Sequence, residues 1–158
     1  MDVAVSLNLL ADAVRQLFNI ETLAFADPGE PHVVSELFYL LRPRFPEHDV
    51  SNEYDRRVQE VKRLGTSKIV PDLIVHEIGT QDRNLLVIEM KLVTNTDCAG
   101  DIRKLRGMTD RAGAYGYAVG VHLVLDIPGR AVSRAEVYAD GAADPALTEH
   151  LTKLLMER

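Results

Sequence analysis

Residues 85–93 read Leu85-Leu86-Val87-Ile88-Glu89-Met90-Lys91-Leu92-Val93, an apolar run broken only by two charges. Apolar side chains without alternation predict a strand buried on both faces rather than one half in water. A charge left unpaired in such a strand is strongly destabilising. Glu89 and Lys91 therefore need either a bound cation or close ionic partners, the plainer alternative being an ion pair with each other on a half-exposed strand. They stand two apart, so on an extended strand both point to the same side.

Working outward, Ile69 to Ile78 is rich in β-branched residues and Gly79 to Asn84 is turn-like. The two runs joined by this turn predict a β-hairpin. Pro71-Asp72 falls near the start of its first strand, where proline costs least. A turn centred between Gln81 and Asp82 sets Asp72 opposite Lys91 and Ile74 opposite Glu89. Asp72, Glu89 and Lys91 then share one face, and a slip of one residue would separate them.

The remaining elements are placed by periodicity and punctuation. Val3 to Phe18 repeats apolar residues at helical spacing, and Asp27-Pro28-Gly29 marks a loop. A helix is expected from about Pro31 to Leu41, stopped by Pro43. His48 to Tyr54 is strand-like, while Asp55 to Lys68 is polar, basic and broken by Gly65, which suggests a loop. Asp97 is placed to cap a helix running to about Ala114. Tyr117 to Asp126 reads as a buried strand, Arg134 to Ala139 as a short one, and Ala146 to Met156 as a terminal helix. The expected fold class is α/β, a mixed sheet with helices on its faces.

The 158 residues suit a single domain, 1–158, and no apolar run reaches the length needed to span a bilayer. The start of the chain has no secretory pattern, so a soluble, cytoplasmic protein without a membrane partner is expected. The lone cysteine, Cys98, excludes an intrachain disulfide and a cysteine-based zinc cluster, and nothing near it suggests an activated thiol. The net charge of −6 counts against a nucleic-acid binder. Local charge is more favourable: Arg56, Arg57, Lys62, Arg63 and Lys68 form one basic cluster, and Arg103, Lys104, Arg106 and Arg111 form another. His76 and His122 lie in apolar runs and read as core histidines.

Pro71-Asp72, a gap of sixteen residues, then Glu89-Met90-Lys91 resembles the signature of the PD-(D/E)XK nuclease superfamily. The resemblance covers about residues 31–126, from a helix bearing Glu36 through the hairpin to a following helix and strand. It implies a restriction-endonuclease-like core of order α-β-β-β-α-β and divalent-metal-dependent phosphodiester hydrolysis, with DNA as the expected substrate. It further implies that Asp72 and Glu89, with the Met90 backbone carbonyl, hold Mg²⁺ or Mn²⁺. Lys91 would orient or deprotonate a water, or offset developing charge. Glu36 would be a third acidic residue reaching the metal; on periodicity alone it faces solvent between buried stripes. Lys104, Arg103, Arg56 and Arg57 would meet substrate phosphates; on composition alone they are solvated basic faces. So small a domain has no evident recognition module, which suggests a homodimer or a protein partner supplying specificity. The rival expectation is a catalytically inactive nuclease-like domain that binds nucleic acid or protein.

Overall fold

The computed structural model describes residues 1–57 and 59–157. Its elements run α1 (Val3–Phe18), α2 (Glu21–Ala26), α3 (Glu30–Leu41), β1 (Asp49–Asn52), β2 (Arg56–Arg57), β3 (Glu60–Val61), β4 (Arg63–Leu64) and β5 (Ser67–Lys68). There follow β6 (Leu73–His76), β7 (Leu86–Leu92), α4 (Ala99–Thr109), β8 (Val119–Asp126), β9 (Ala131–Ala139), β10 (Ala142–Ala143) and α5 (Pro145–Met156).

The hairpin expected from the two apolar runs is β6 and β7, and it lies inside a mixed six-stranded sheet of order β1-β6-β7-β8-β9-β10. All four β6 residues and the first five of β7 are buried, which explains their unbroken apolar character. Alternate side chains feed two separate cores. Leu73, Val75, Leu86, Ile88 and Met90 pack with α1, α3 and α5 on one face. Ile74 and Val87 pack on the other, beneath Leu105 and Met108 of α4. The parallel pair β7–β8 is joined by α4, the one crossover such a pair requires, and the remaining neighbours are antiparallel.

The hairpin register differs from expectation by two residues. Leu73 pairs with Ile88 and Ile74 with Val87, so continuing the ladder sets Asp72 against Glu89, not Lys91. The long connection after β6 is the cause. Gly79 takes a positive φ of 89°, Thr80 Oγ1 accepts from Asp82 N–H at 3.1 Å, and Leu85 N–H still donates to Val75 O. These contacts move the centre of the turn one residue towards the N-terminus. Because side chains alternate with period two, this shift preserves faces, and the three expected residues remain on one side.

Other departures are local. α4 begins at Ala99, with Cys98 rather than Asp97 at its N-cap, and ends at Thr109 rather than near Ala114. Asp110 turns the chain there, accepting from Ala112 N–H and ending the helix before Gly113. The stretch taken for a loop contains two ribbons, β2–β3 and β4–β5, of two residues per strand. They are fastened to the second core by Tyr115, whose hydroxyl accepts from Arg63 N–H and donates to Arg63 O. Among the described residues no helix is long and apolar enough to cross a membrane.

Candidate functional site

The charged residues of the hairpin gather beneath the first turns of α4. Helical spacing places Asp101, Lys104, Leu105 and Met108 on the inward side of that helix. Leu105 and Met108 cover the apolar part of the sheet, so Asp101 and Lys104, one turn earlier, lie over its charged end. α4 approaches β8 closely because Gly120 has no side chain; a Cβ there would lie 2.9 Å from Thr109 and 3.1 Å from Leu105. His122 stands beside Glu89 in the parallel ladder and is fully buried.

Glu89 is likewise fully buried. Its Oε2 accepts from Lys104 Nζ at 2.6 Å, while its Oε1 has no hydrogen-bond partner. Asp72 Oδ2 accepts from the Met90 N–H at 2.8 Å, and the other residues complete a network of ion pairs. Lys91 Nζ lies 3.4 Å from Asp101 Oδ2 and 3.5 Å from Glu30 Oε1. Lys104 Nζ is also 3.5 Å from Asp101 Oδ1 and 3.3 Å from Val70 O, and His122 Nε2 is 3.4 Å from Asp101 Oδ2. Beside Asp72 a cleft of about 130 Å³ opens between Glu30, Ser35, Asn52 and Glu53.

The electrostatics follow from burial and from crowded carboxylates. Burial, then the Asp72 charge, raises the Glu89 pKa well above the usual carboxylate range, with Lys104 acting against them. Burial also raises Asp72, opposed by the Met90 N–H and by Lys104. For Asp101 burial pushes the same way but is outweighed by His122, Lys104 and Lys91, and its pKa is lowered. Burial alone would weaken the protonated form of both lysines, yet their carboxylate neighbours raise both pKa values. The cluster thus sets four carboxyl groups, those of Glu30, Asp72, Glu89 and Asp101, against the two ammonium groups of Lys91 and Lys104.

This donor set suits a small divalent cation. Its free atoms are hard carboxylate oxygens, two of which, Glu89 Oε1 and Asp101 Oδ2, are buried without a hydrogen-bond partner. A residue's N–H and C=O leave the same side of an extended strand, so the Met90 carbonyl is directed towards Asp72 as its N–H is. Among the described residues, however, no three His, Cys, Asp or Glu side chains are grouped to hold a metal. Asp72 and Glu89 would need the Met90 carbonyl, water or substrate to complete a coordination shell.

The structure thus brings together Asp72, Glu89, Met90, Lys91 and Lys104, but not the other expected residues. Glu36 lies on the partly exposed side of α3 and pairs with His32 at 3.6 Å. The α3 carboxylate that reaches the cluster is Glu30, six residues earlier, at the N-terminal end of the helix. Lys104 is turned inward onto Glu89 rather than outward. Arg103 donates to Leu64 O at 3.3 Å, Arg56 pairs with Asp55 at 3.6 Å, and the Arg57 guanidinium lies 6.0 Å from the Tyr115 ring centre. Asp101 and His122 were not foreseen as site residues. The available signal was Asp101 and Lys104 at i, i+3, with Leu105 and Met108 extending the same inward stripe. Comparison with protein-family models and with curated proteins gives no match to this chain.

Proposed function

We propose that this chain is a divalent-metal-dependent phosphodiesterase of the PD-(D/E)XK kind, acting as an endonuclease on DNA. The observation that carries the reading is the facing of Asp72 and Glu89 across the β6–β7 hairpin, with Lys91 on the same side. The order α3-β1-β6-β7-α4-β8 agrees with the restriction-endonuclease-like core that the resemblance implies. Mg²⁺ or Mn²⁺ bound there supplies a water of lowered pKa and neutralises charge on the scissile phosphate. Asp72 and Glu89 would bind it, with the Met90 carbonyl. Lys91 is restrained by Asp101 and Glu30, so its ammonium is positioned to orient the water or to offset charge developing on the phosphate.

A second reading has its own support. Glu89 and Asp72 already have internal partners in Lys104 and the Met90 N–H, and the chain is acidic overall. These features suit an inactive nuclease-like domain that binds nucleic acid or protein. Plasmid and single-stranded DNA assays with Mg²⁺ or Mn²⁺, together with calorimetric titration of each ion, separate the two. The enzyme reading expects cleavage and ion uptake by the wild type and neither in Asp72→Ala or Glu89→Ala, both of which stay folded. Wild-type cutting by either variant refutes the assignment. Absence of both cutting and ion binding in the wild type favours the binding module.

A further inference from the structure

We propose that Lys104 is the site's resident cation, seated on Glu89 where a divalent ion would bind, so that metal entry and release of Lys104 are one exchange. This rests on the metal reading above and concerns how that site is regulated. The 2.6 Å contact between Lys104 Nζ and Glu89 Oε2 is the shortest ion pair in the cluster; the others there are 3.4–3.5 Å. A second seat for the ammonium is already built. Asp101 Oδ1 lies 3.5 Å away and Val70 O 3.3 Å, so leaving Glu89 costs Lys104 one partner and not all of them.

Asp101 is fixed for this part. It sits on the first turn of α4, and its other oxygen, Oδ2, lies 3.4 Å from both Lys91 Nζ and His122 Nε2. Lys104 can move because its four-carbon stem is flexible and its side chain is 20% exposed, whereas Glu89 on its interior strand is fully buried. An ammonium and a divalent ion cannot comfortably share one carboxylate in a low-dielectric site, since like charges at that range repel strongly. Lys104 therefore protects the buried carboxylate while the site is metal-free and weakens apparent metal affinity by competing for it. In this role Lys104 is a positioning residue acting through Glu89.

The test uses the full chain and Mn²⁺ alone. Affinity is measured by titration calorimetry for the wild type, Lys104→Met, Lys104→Gln and Lys104→Arg, and melting temperature is recorded in EDTA and in excess Mn²⁺. Removing the charge is expected to tighten Mn²⁺ binding by about tenfold, while Lys104→Arg stays near the wild type. In EDTA the neutral variants should melt lower than the wild type, and Mn²⁺ should raise their melting temperature by more. Should Lys104→Met not fold without metal, Lys104→Gln, which keeps a hydrogen bond to Glu89, decides the matter. Equal or weaker Mn²⁺ binding by the neutral variants overturns the exchange and leaves the metal reading standing. If neither the wild type nor any variant takes up Mn²⁺, the metal reading fails and this inference falls with it.

Discussion

Glu89 is the residue on which the site turns, because its surroundings penalise the charge its chemistry would need. A carboxylate whose pKa is raised by burial and by Asp72 is more easily protonated in the folded chain than in the unfolded one. From the ordinary glutamate value near 4.5 up to its raised value, the folded state binds more protons. Stability therefore declines as pH rises through that window. Glutamine keeps the shape and does not titrate. In EDTA, Glu89→Gln should match the wild type near pH 4 and exceed it at pH 7.5. Urea unfolding at the two pH values checks this. A variant less stable than the wild type at pH 7.5 would mean that Lys104 more than compensates the buried charge.

At the scale of elements, legibility followed the strength of the local pattern. The hairpin, α1 and β8 declared themselves because long apolar runs or a clean helical period leave little choice of burial. The β2–β5 ribbons were not legible, since two-residue strands have no period and are held by turns and by Tyr115, distant in sequence. Glu36 is the carboxylate to which the family resemblance points, whereas the packing of α3 against the sheet brings Glu30, at the N-terminal end of the same helix, to Lys91. The triad's shared face was readable from parity, but not which residues stood opposite, since the turn contacts set the register. Gly120 also gave no sign of its role. Its missing side chain lets α4 lie close enough to β8 for Lys104 to reach Glu89. Gly120→Ala should cost about 1–3 kcal/mol by overpacking Thr109 and Leu105. It should also tighten Mn²⁺ binding, because lifting α4 draws Lys104 away from Glu89, the carboxylate for which it competes with the ion. Denaturant unfolding and calorimetry on the same sample read both effects, and unchanged values for both would mean that α4 position is not set there.

For the whole molecule, the proposed activity on DNA requires a chain of net charge −6 to approach a polyanion. The surplus of acid is partly local to the site, where four carboxyl groups gather around two lysines, and a bound divalent ion would offset part of it. Exposed basic residues lie on the ribbons and on α4, among them Arg56, Arg63, Lys68 and Arg103. Asp55 already engages Arg56 and Lys68, so few of these charges are free to meet phosphates. Each phosphate neutralised on duplex DNA contributes about −0.9 to the slope of log K against log salt. Binding through two to four contacts therefore predicts a slope of roughly −2 to −4, measured by fluorescence anisotropy in EDTA so that no cleavage intervenes. Arg63→Ala and Arg103→Ala, at the two of these residues outside the Asp55 ion pairs, should each reduce its magnitude by about 0.9. Lys153→Ala provides the control, because Lys153 pairs with Glu149 on α5, which packs against the opposite face of the sheet. A slope near zero, or one that the Lys153 variant changes as much as the arginine variants do, would remove this surface as the DNA interface.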